Sequence, residues 1–181
     1  PPGLGAGCPH RADARLPPGS VGRPCSPAWF PRRDRPRLWR GLHSANFDGG
    51  GVATLDSDLI RDGMLTRYVL GSYSARRLGL ESTGNAGGVH NLIASQGVED
   101  LQSLLRGMGR GLYVTELMGQ GVNAVTGDYS RGAAGFWVEN GEFAYPVDEA
   151  TVAGNLKQVF RALEAVGSDV DLRSSIHVGQ L

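Results

Sequence analysis

The chain has 181 residues, and its 18 Lys and Arg residues are balanced by 18 Asp and Glu residues, so the formal net charge at pH 7 is zero. A neutral chain lacks the broad positive surface that holds nucleic acid, and the sequence contains no run of about 18 apolar residues that could span a membrane. We therefore expect neither nucleic acid nor a membrane as a partner. The length suits one domain, with or without a tail.

Residues 1–37 differ in composition from the rest of the chain. They hold nine of the ten prolines, few aliphatic residues and no periodicity of 2 or 3.6. Such a segment cannot bury enough apolar surface to offset the entropy lost on ordering it. We predict that residues 1–37 are disordered or non-native, for example the product of a frameshift, and that residues 38–181 form the domain. Because both cysteines, Cys8 and Cys25, lie in the first segment, we expect no disulfide framework in the domain and a reducing, cytoplasmic setting.

The first half of the predicted domain shows strand and helix patterns in turn. Residues 63–70 alternate in part between apolar and polar side chains and predict a strand. Apolar residues between positions 98 and 108 fall on one helical face, and Gly109 follows them as a helix-ending residue. Residues 111–118 are rich in β-branched and aromatic side chains and predict a second strand.

The sequence FWVE-NG-EFAY predicts a β-hairpin. Two strand-like runs flank Asn140 and Gly141, the expected type I′ loop of a hairpin. The turn pairs residues across the two strands as follows: Glu139 with Glu142, Val138 with Phe143, and Phe136 with Tyr145. The pair of glutamates should cost a little stability because like charges repel. We expect Pro146 to end the ladder, since proline has no N–H to donate.

A second helix is predicted from Leu156 to Val166. Asn155 precedes it as a possible N-cap, and Gly167 follows it as a residue suited to the helix end. The strands and the two covering helices together predict an α+β fold with a mostly antiparallel sheet. The chain stops within a strand-like run at residues 176–181, which we interpret as truncation of the domain at its C-terminal end.

No familiar catalytic motif emerges from the residues alone. The glycines at 107, 109 and 111 follow a helix and enter a strand, which is the reverse of the order in a dinucleotide site. None of the four histidines is followed by Glu, so the H-E-x-x-H zinc motif is absent. We therefore predict no metal site in this chain and assign no catalytic residue.

Two glycine-rich segments are the candidates for contact with a substrate or partner. In ESTGNAGGVHN the candidate residues are Asn85, Gly87, Gly88, His90 and Asn91; in GDYSRGAAGF they are Asp128, Arg131, Gly132, Ala133, Ala134 and Gly135. Exposed glycine lets a second backbone approach closely, whereas buried glycine indicates tight packing or a bend in the strand. We predict an ion pair between Asp128 and Arg131. Phosphate binding by the backbone amides of STGNAGG is a further hypothesis.

Several motifs resemble one known family. LYVTELMGQGVNAVTGDYSRGAAGFWVENGEFAYPV, together with SYSARRLGLESTGNAGGVHN and LWRGLHSANFDGGGV, resembles the C-terminal domain of the TldD/PmbA peptidase family, and its PmbA (TldE) branch in particular. The resemblance covers about residues 38–181. It implies a cytosolic zinc metalloprotease complex, a heterodimer of a PmbA-type and a TldD-type subunit that degrades unfolded peptides.

The resemblance also implies which subunit holds the zinc. The family's H-E-x-x-x-H helix is absent from this chain, and its metal-binding cysteine would fall near Val178. We therefore expect the TldD-type partner to bind zinc, while this chain shapes the cleft and the partner interface. The alternative is a non-catalytic β module that binds a peptide or protein.

Overall fold

The computed structural model describes residues 19–94, 96–123 and 126–179, which form eight strands and three helices. The strands are β1 (Arg32–Asp34), β2 (Ser57–Arg61), β3 (Met64–Leu65), β4 (Leu92–Ala94), β5 (Gly111–Met118), β6 (Asp128–Glu139), β7 (Glu142–Asn155) and β8 (Ile176–His177). The helices are α1 (Ser72–Leu78), α2 (Leu101–Met108) and α3 (Leu156–Arg161). None of these helices is both long and apolar enough to cross a membrane.

The strands form two sheets, and the predicted α+β class is confirmed. The first sheet has the order β3-β2-β1-β4-β8 and is antiparallel except for the parallel pair β4–β8. The second has the order β5-β6-β7 and is antiparallel throughout. Pairing is therefore largely antiparallel, as the sequence predicted.

The main hydrophobic core lies against the first sheet. Its buried residues are Leu59, Ile60, Leu65, Tyr68, Val69, Leu70, Ala75 and Leu92. Only Met64–Leu65 of the strand predicted at 63–70 is a strand in the structure. The backbone N–H of Thr66 still donates to Leu59 O in β2, and further on the carbonyl oxygen of Leu70 accepts from the backbone N–H of Thr83.

The boundary predicted at residue 37 is wrong for residues 19–37. Residues 32–34 form β1, which lies between β2 and β4 in the middle of the first sheet. The side chains of Arg32 and Asp34 are buried there, and the Arg32 guanidinium lies 4.4 Å from the centre of the Phe160 ring. Because cation–π contacts and hydrogen bonds allow charged side chains to be buried in β1, the sequence of this strand shows no alternation of apolar and polar residues. Residues 1–18 lie outside the described residues, and the frameshift hypothesis stays a prediction.

The predicted hairpin is confirmed, with one correction in its register. Asn140 and Gly141 have φ values of 53° and 77°, as a type I′ loop requires, and both Glu139↔Glu142 and Val138↔Phe143 are paired. The register then shifts, as the following pairs show: Trp137↔Tyr145 and Phe136↔Pro146. The predicted pair of Phe136 with Tyr145 is therefore wrong, because β7 carries one extra residue at this bulge.

Pro146 does not end the ladder. β7 continues through it to Asn155. Because β7 is at the edge of its sheet, one of its sides needs no hydrogen-bond donor, and an edge strand tolerates proline.

Both predicted helices are present, but their lengths differ from the prediction. α2 begins after Asp100, whose side chain accepts from Ser103 N at 2.8 Å, and ends at Gly109 as predicted. Val98 lies before this helix and is 95% exposed. α3 is capped by Asn155, as predicted, but it ends at Arg161 and does not reach Val166. The sequence predicted two helices, whereas the described residues contain a third, α1.

Candidate functional site

The first glycine-rich segment is packed tightly into the fold. Gly84 has φ +70°, and a Cβ atom placed on it would lie 2.6 Å from the carbonyl oxygen of Ala53. A Cβ atom on Gly71 would lie 3.1 Å from the Cβ of Ala86. Gly87 differs, since it is exposed and a Cβ atom there would meet nothing within 4 Å. Close packing therefore explains Gly84, while Gly87 is needed for its positive φ of 106°.

Asn85 ties this segment to the first sheet through a buried polar network. Its Nδ2 donates to Asp34 Oδ2 at 2.8 Å and to Gly88 O at 3.1 Å. Its Oδ1 accepts from Arg67 Nη2 at 2.5 Å and from Thr83 Oγ1 at 2.9 Å. All four hydrogen-bonding positions of the amide are therefore occupied within the protein.

Asp34 lies at the centre of the network and is fully buried. Its Oδ1 accepts from the backbone N–H of His90 at 3.0 Å, and its Oδ2 lies 3.6 Å from His90 Nδ1. Burial lowers the pKa of Arg67, and the negative charge of Asp34 opposes that shift. A buried carboxylate needs such partners, because burying an unpaired charge is costly.

A second buried carboxylate, Asp48, fixes the loop before β2 to the glycine-rich segment. Its Oδ1 accepts from the backbone N–H groups of Gly50 and Val52 at 2.8 and 3.0 Å, and its Oδ2 accepts from Ala86 N at 2.8 Å. Burial acts to raise the pKa of Asp48, but these three hydrogen bonds and the charge of His90 outweigh it, so the pKa lies below its usual value.

Asn91 performs a similar task at the other end of the segment. Its Nδ2 donates to Arg35 O and Ser44 Oγ, both at 2.9 Å, and its Oδ1 accepts from His43 N at 3.1 Å. A substrate could reach the buried side chains of Asn85 and Asn91 only by breaking such bonds. Contact between this segment and a substrate or partner stays a prediction, most accessible at Gly87, next to Gly88 and the partly buried His90.

Most backbone N–H groups of STGNAGG are already hydrogen-bonded and cannot bind a phosphate. The backbone N–H groups of this segment donate within the protein as follows: Thr83 to Leu70 O, Gly84 to Ser82 Oγ, Asn85 to Leu70 O, Ala86 to Asp48 Oδ2, and Gly88 to Asn85 O. An anion-binding nest needs several such groups free and directed at one point. The geometry therefore does not favour phosphate binding here.

In the second segment the structure shows both a close backbone approach and a bend. A Cβ atom on Gly135 would overlap the carbonyl oxygen of Tyr113 in β5. Opposite β7, the register of β6 shifts between Ala133 and Gly135, and Glu149 in the shifted part of β7 has φ 55°. The GAAG run therefore lets β5 approach β6 at the place where β7 bulges.

The predicted ion pair between Asp128 and Arg131 is wrong. Asp128 accepts from Thr126 Oγ1 at 2.5 Å and from Asn155 Nδ2 at 3.2 Å, whereas Arg131 Nη2 donates to Leu117 O at 2.9 Å. The register of β6 against β7 is regular from Asp128 to Arg131, so these two residues, three apart, direct their side chains to opposite faces and cannot meet. Whether Asp128, Arg131 or residues 132–135 contact a substrate stays a prediction.

The first segment is a loop that leads into β4 of the five-stranded sheet, whereas the second lies in β6 of the three-stranded sheet. Sequence analysis did not identify Asp34 and Asp48, the carboxylates that organise the first segment. Asp48 carried a detectable signal, because Asp followed by three glycines is typical of a turn in which the Asp side chain accepts from the backbone two residues on. Asp34 carried none.

The donor residues do not fit a metal site in the part of the chain that the structure describes. Within residues 19–94, 96–123 and 126–179, no group of three His, Cys, Asp or Glu side chains could hold a metal ion. Val178, where the family's metal-binding cysteine was expected, has no donor atom in its side chain.

Comparison with known proteins gives consistent similarities. The family model described as the PmbA/TldA metallopeptidase C-terminal domain matches residues 14–181. The chain is 56% identical over 163 residues to Metalloprotease PmbA of Escherichia coli O157:H7, covering 90% of this chain and 36% of that protein. It is 49% identical over 162 residues to a Metalloprotease PmbA homolog of Haemophilus influenzae, covering 89% of this chain and 36% of that protein.

Solved structures are similar in fold. A putative modulator of DNA gyrase from Bacteroides thetaiotaomicron matches with a TM-score of 0.83 at 31% identity, covering 89% of this chain and 36% of that chain. TldE from Thermococcus kodakarensis matches with a TM-score of 0.76 at 24% identity, covering 89% of this chain and 40% of that chain, and shows likeness of fold alone. The chain therefore spans little more than a third of the length of these relatives.

Proposed function

The chain belongs to the PmbA/TldA metallopeptidase family, whose C-terminal domain it contains, and from this premise we propose that it is one subunit of a zinc-dependent peptidase complex that cleaves unfolded peptides in the cytoplasm. In this complex a TldD-type partner holds the zinc. This chain forms part of the cleft wall and of the interface between the subunits.

One observation carries the proposal. The chain is similar over nine-tenths of its length to a protein named as a metalloprotease, yet its described residues bring no three metal ligands together. A catalytic zinc site takes three protein ligands and an open position for water. We propose that a second subunit supplies those ligands; the similarity, over 36% of that relative, supports a peptidase role for the complete complex.

The three-stranded sheet suits the role assigned to this chain. β7 runs for 14 residues along an edge of that sheet, and most of its residues are exposed. An edge strand presents unpaired N–H and C=O groups to any extended chain that lies beside it. Phe136, Phe143 and Tyr145 add half-exposed aromatic surface close to the same edge.

The same edge also supports a second candidate function, a β module that binds a peptide or protein without cleaving it. Binding at an edge strand needs backbone groups and shallow apolar pockets but no metal. The two candidates therefore differ in whether the bound chain is cut.

Peptide hydrolysis distinguishes these functions. An unstructured fluorogenic peptide is incubated with the intact protein alone, with a TldD-type partner alone and with both, each with and without a zinc chelator. We expect cleavage in the mixture and its loss with chelator. The matched control replaces Arg76 and Arg77 of this chain, two exposed residues of α1, by alanine, and its cleavage rate should equal that of the unchanged mixture.

The remaining outcomes are informative as well. Cleavage by this protein alone would place the catalytic metal in this chain and contradict the proposal. Complex formation with no cleavage by any mixture, while the peptide binds, would support the binding module instead.

A further inference from the structure

Three arginine side chains surround the carboxylate of Asp58 on the first sheet. Arg61 donates to Asp58 Oδ2 from Nε at 2.9 Å and from Nη2 at 2.7 Å. Arg33 Nε and Arg35 Nη2 lie 3.5 and 3.6 Å from Asp58 Oδ1. We call Arg33, Arg35 and Arg61 the arginine cluster.

Strand geometry explains why these groups meet. Arg33 pairs with Asp58 across β1 and β2, so both side chains are on one face of the sheet. Arg35 is two residues beyond Arg33 and follows the same side of the chain. Arg32 and Asp34, which alternate with them, are buried on the opposite face. The register of β2 shifts opposite Arg32 and Arg33, and at this bulge Arg61 can reach Asp58 although the two are three residues apart. The sheet therefore places Arg33, Asp58 and Arg61, and Arg35 directly follows β1.

The cluster carries more positive charge than its partner neutralises. Three guanidinium groups share a single carboxylate, which leaves two positive charges in excess. The side chains of Arg33, Arg35 and Arg61 are 51%, 27% and 66% exposed, while that of Asp58 is 15% exposed. The carboxylate thus lies beneath the guanidinium groups, which face solvent.

Much of the donor capacity of the cluster is unused. A charge-assisted hydrogen bond is typically about 2.7–2.9 Å long, and a guanidinium has five N–H donors. In the described residues the side chains of Arg33 and Arg35 make only the two longer contacts with Asp58. Their remaining N–H groups are available to a further acceptor.

Asp58 acts as the anchor of this arrangement. The hydrogen bond from Arg61 lowers the pKa of Asp58; burial opposes that shift, and the charges of Arg61, Arg33 and Arg35 lower the pKa further. The carboxylate is therefore ionised at neutral pH and holds the arginines near one another against their mutual repulsion.

We propose that the arginine cluster is a binding site for an oxyanion, in which Arg33 and Arg35 donate to a carboxylate or a phosphate group held above Asp58. Arginine forks match the planar geometry of a carboxylate and the oxygens of a phosphate. This site is additional to the proposed peptidase role, because binding of an oxyanion here requires neither zinc nor a partner subunit. It can therefore be measured directly on this protein.

Fluorescence anisotropy of the intact protein tests the site at low ionic strength. The probes are a dye-labelled peptide of Gly, Ser and Ala that ends in a free carboxylate, its C-terminal amide, and inorganic phosphate as competitor. The test variant is Arg33→Gln/Arg35→Gln, which removes charge but keeps the length of the stems. The matched control is Arg76→Gln/Arg77→Gln, whose exposed arginines lie on α1 and share no carboxylate with another residue in the described part of the chain.

We expect the test variant to bind the free-acid peptide roughly tenfold more weakly, the scale of one lost charge-assisted hydrogen bond, and the control to be unchanged. Weaker binding of the amide identifies the carboxylate as the ligand. If acid and amide bind alike but phosphate binds in an arginine-dependent way, phosphate is the ligand. Equal affinity of test variant and wild type, an equal loss in the control, or binding of neither probe would overturn the proposal. If the double variant does not fold, Arg33→Gln is judged by the same criteria.

Discussion

Position 135 accepts only glycine because the backbone of β5 occupies the space that a side chain would need. Besides the overlap with Tyr113 O, a Cβ atom there would lie 3.0 Å from the Cα of Val114. Backbone atoms in a paired strand cannot move aside without breaking the ladder. A Cβ atom on Gly132, three residues earlier in the same strand, would make ordinary van der Waals contacts with Met118, at 3.4 Å from its Cβ and 3.9 Å from its backbone oxygen.

These contacts predict different costs for alanine at the two glycines. Gly135→Ala should lower the free energy of unfolding by about 2 kcal/mol or more, because overpacking against backbone has no cheap relaxation. Gly132→Ala, the matched control, should change it by less than about 0.5 kcal/mol. Urea denaturation followed by circular dichroism measures both, and equal effects at the two positions would contradict the packing described for β5 and β6.

Asp48 should make stability depend on pH. Its folded-state pKa lies below the usual value of 3.8. A lowered carboxyl pKa contributes stability that is fully present above the unfolded-state pKa and is lost as the pH falls through the folded-state pKa. Asp48→Asn should therefore destabilise the protein clearly at pH 7, by about 1–3 kcal/mol, and less as the pH falls below 3.8.

The difference in unfolding free energy between wild type and Asp48→Asn, followed across that pH range, isolates this carboxyl from the others. Asp62→Asn is a suitable control, because Asp62 is exposed and asparagine tolerates its φ of 51°. A difference for Asp48→Asn that stays constant from pH 7 to below 3.8 would show that the three backbone hydrogen bonds do not favour its ionised form.

Among the elements, the β6–β7 hairpin has two negatively charged residues paired with each other beside its turn. Glu139 and Glu142 are directly opposite, and Glu139 Oε1 accepts from Trp137 Nε1 at 3.1 Å. Both glutamates are exposed, so their repulsion is modest and sensitive to salt.

Reversing one charge should stabilise the hairpin. Glu142→Lys should raise the free energy of unfolding by about 0.5 kcal/mol, since an opposite-charge pair replaces a repulsive one. Glu142→Gln should give a smaller gain, because it removes repulsion without adding attraction. Thermal melts at low and high salt provide the measurement. If Glu142→Lys stabilises the protein more than Glu142→Gln does, and by the same margin at both salt concentrations, the effect is not electrostatic.

The elements that sequence analysis predicted well are those specified by local pattern. β5 matches its predicted range at both ends, and the Asn140–Gly141 turn and the Asn155 cap depend on neighbouring residues alone. α1 was missed because it is short and buries only Ala75 fully, which gives little apolar periodicity. β1 was missed because its stability comes from partners distant in the chain, such as Asn85 and Phe160.

Sequence analysis could mark the two glycine-rich segments as unusual, but it could not predict the contacts inside them. The composition of the two glycine-rich segments marked both as unusual, and the structure gives each a physical cause. Which donor meets which acceptor is set by tertiary contacts, so Asp34 escaped detection and the Asp128–Arg131 pair was mistaken. The strand period alone could have excluded that pair once β6 was recognised as continuous.

At the scale of the whole molecule, we propose that zinc binding and the shaping of the cleft are divided between two subunits. The chain spans 36% of its Escherichia coli relative, and its described residues offer no group of three metal ligands. The zinc, the partner and the peptide substrate therefore belong to the proposal for the complete complex.

The zinc content of each subunit tests this division. The intact protein and a TldD-type partner are produced together, separated under mild conditions, and analysed for metal by mass spectrometry. We expect stoichiometric zinc on the partner and none retained by this subunit. Stoichiometric zinc on this subunit, with the partner free of metal, would contradict it and would place the catalytic centre in the chain that we assign to the cleft wall and the interface.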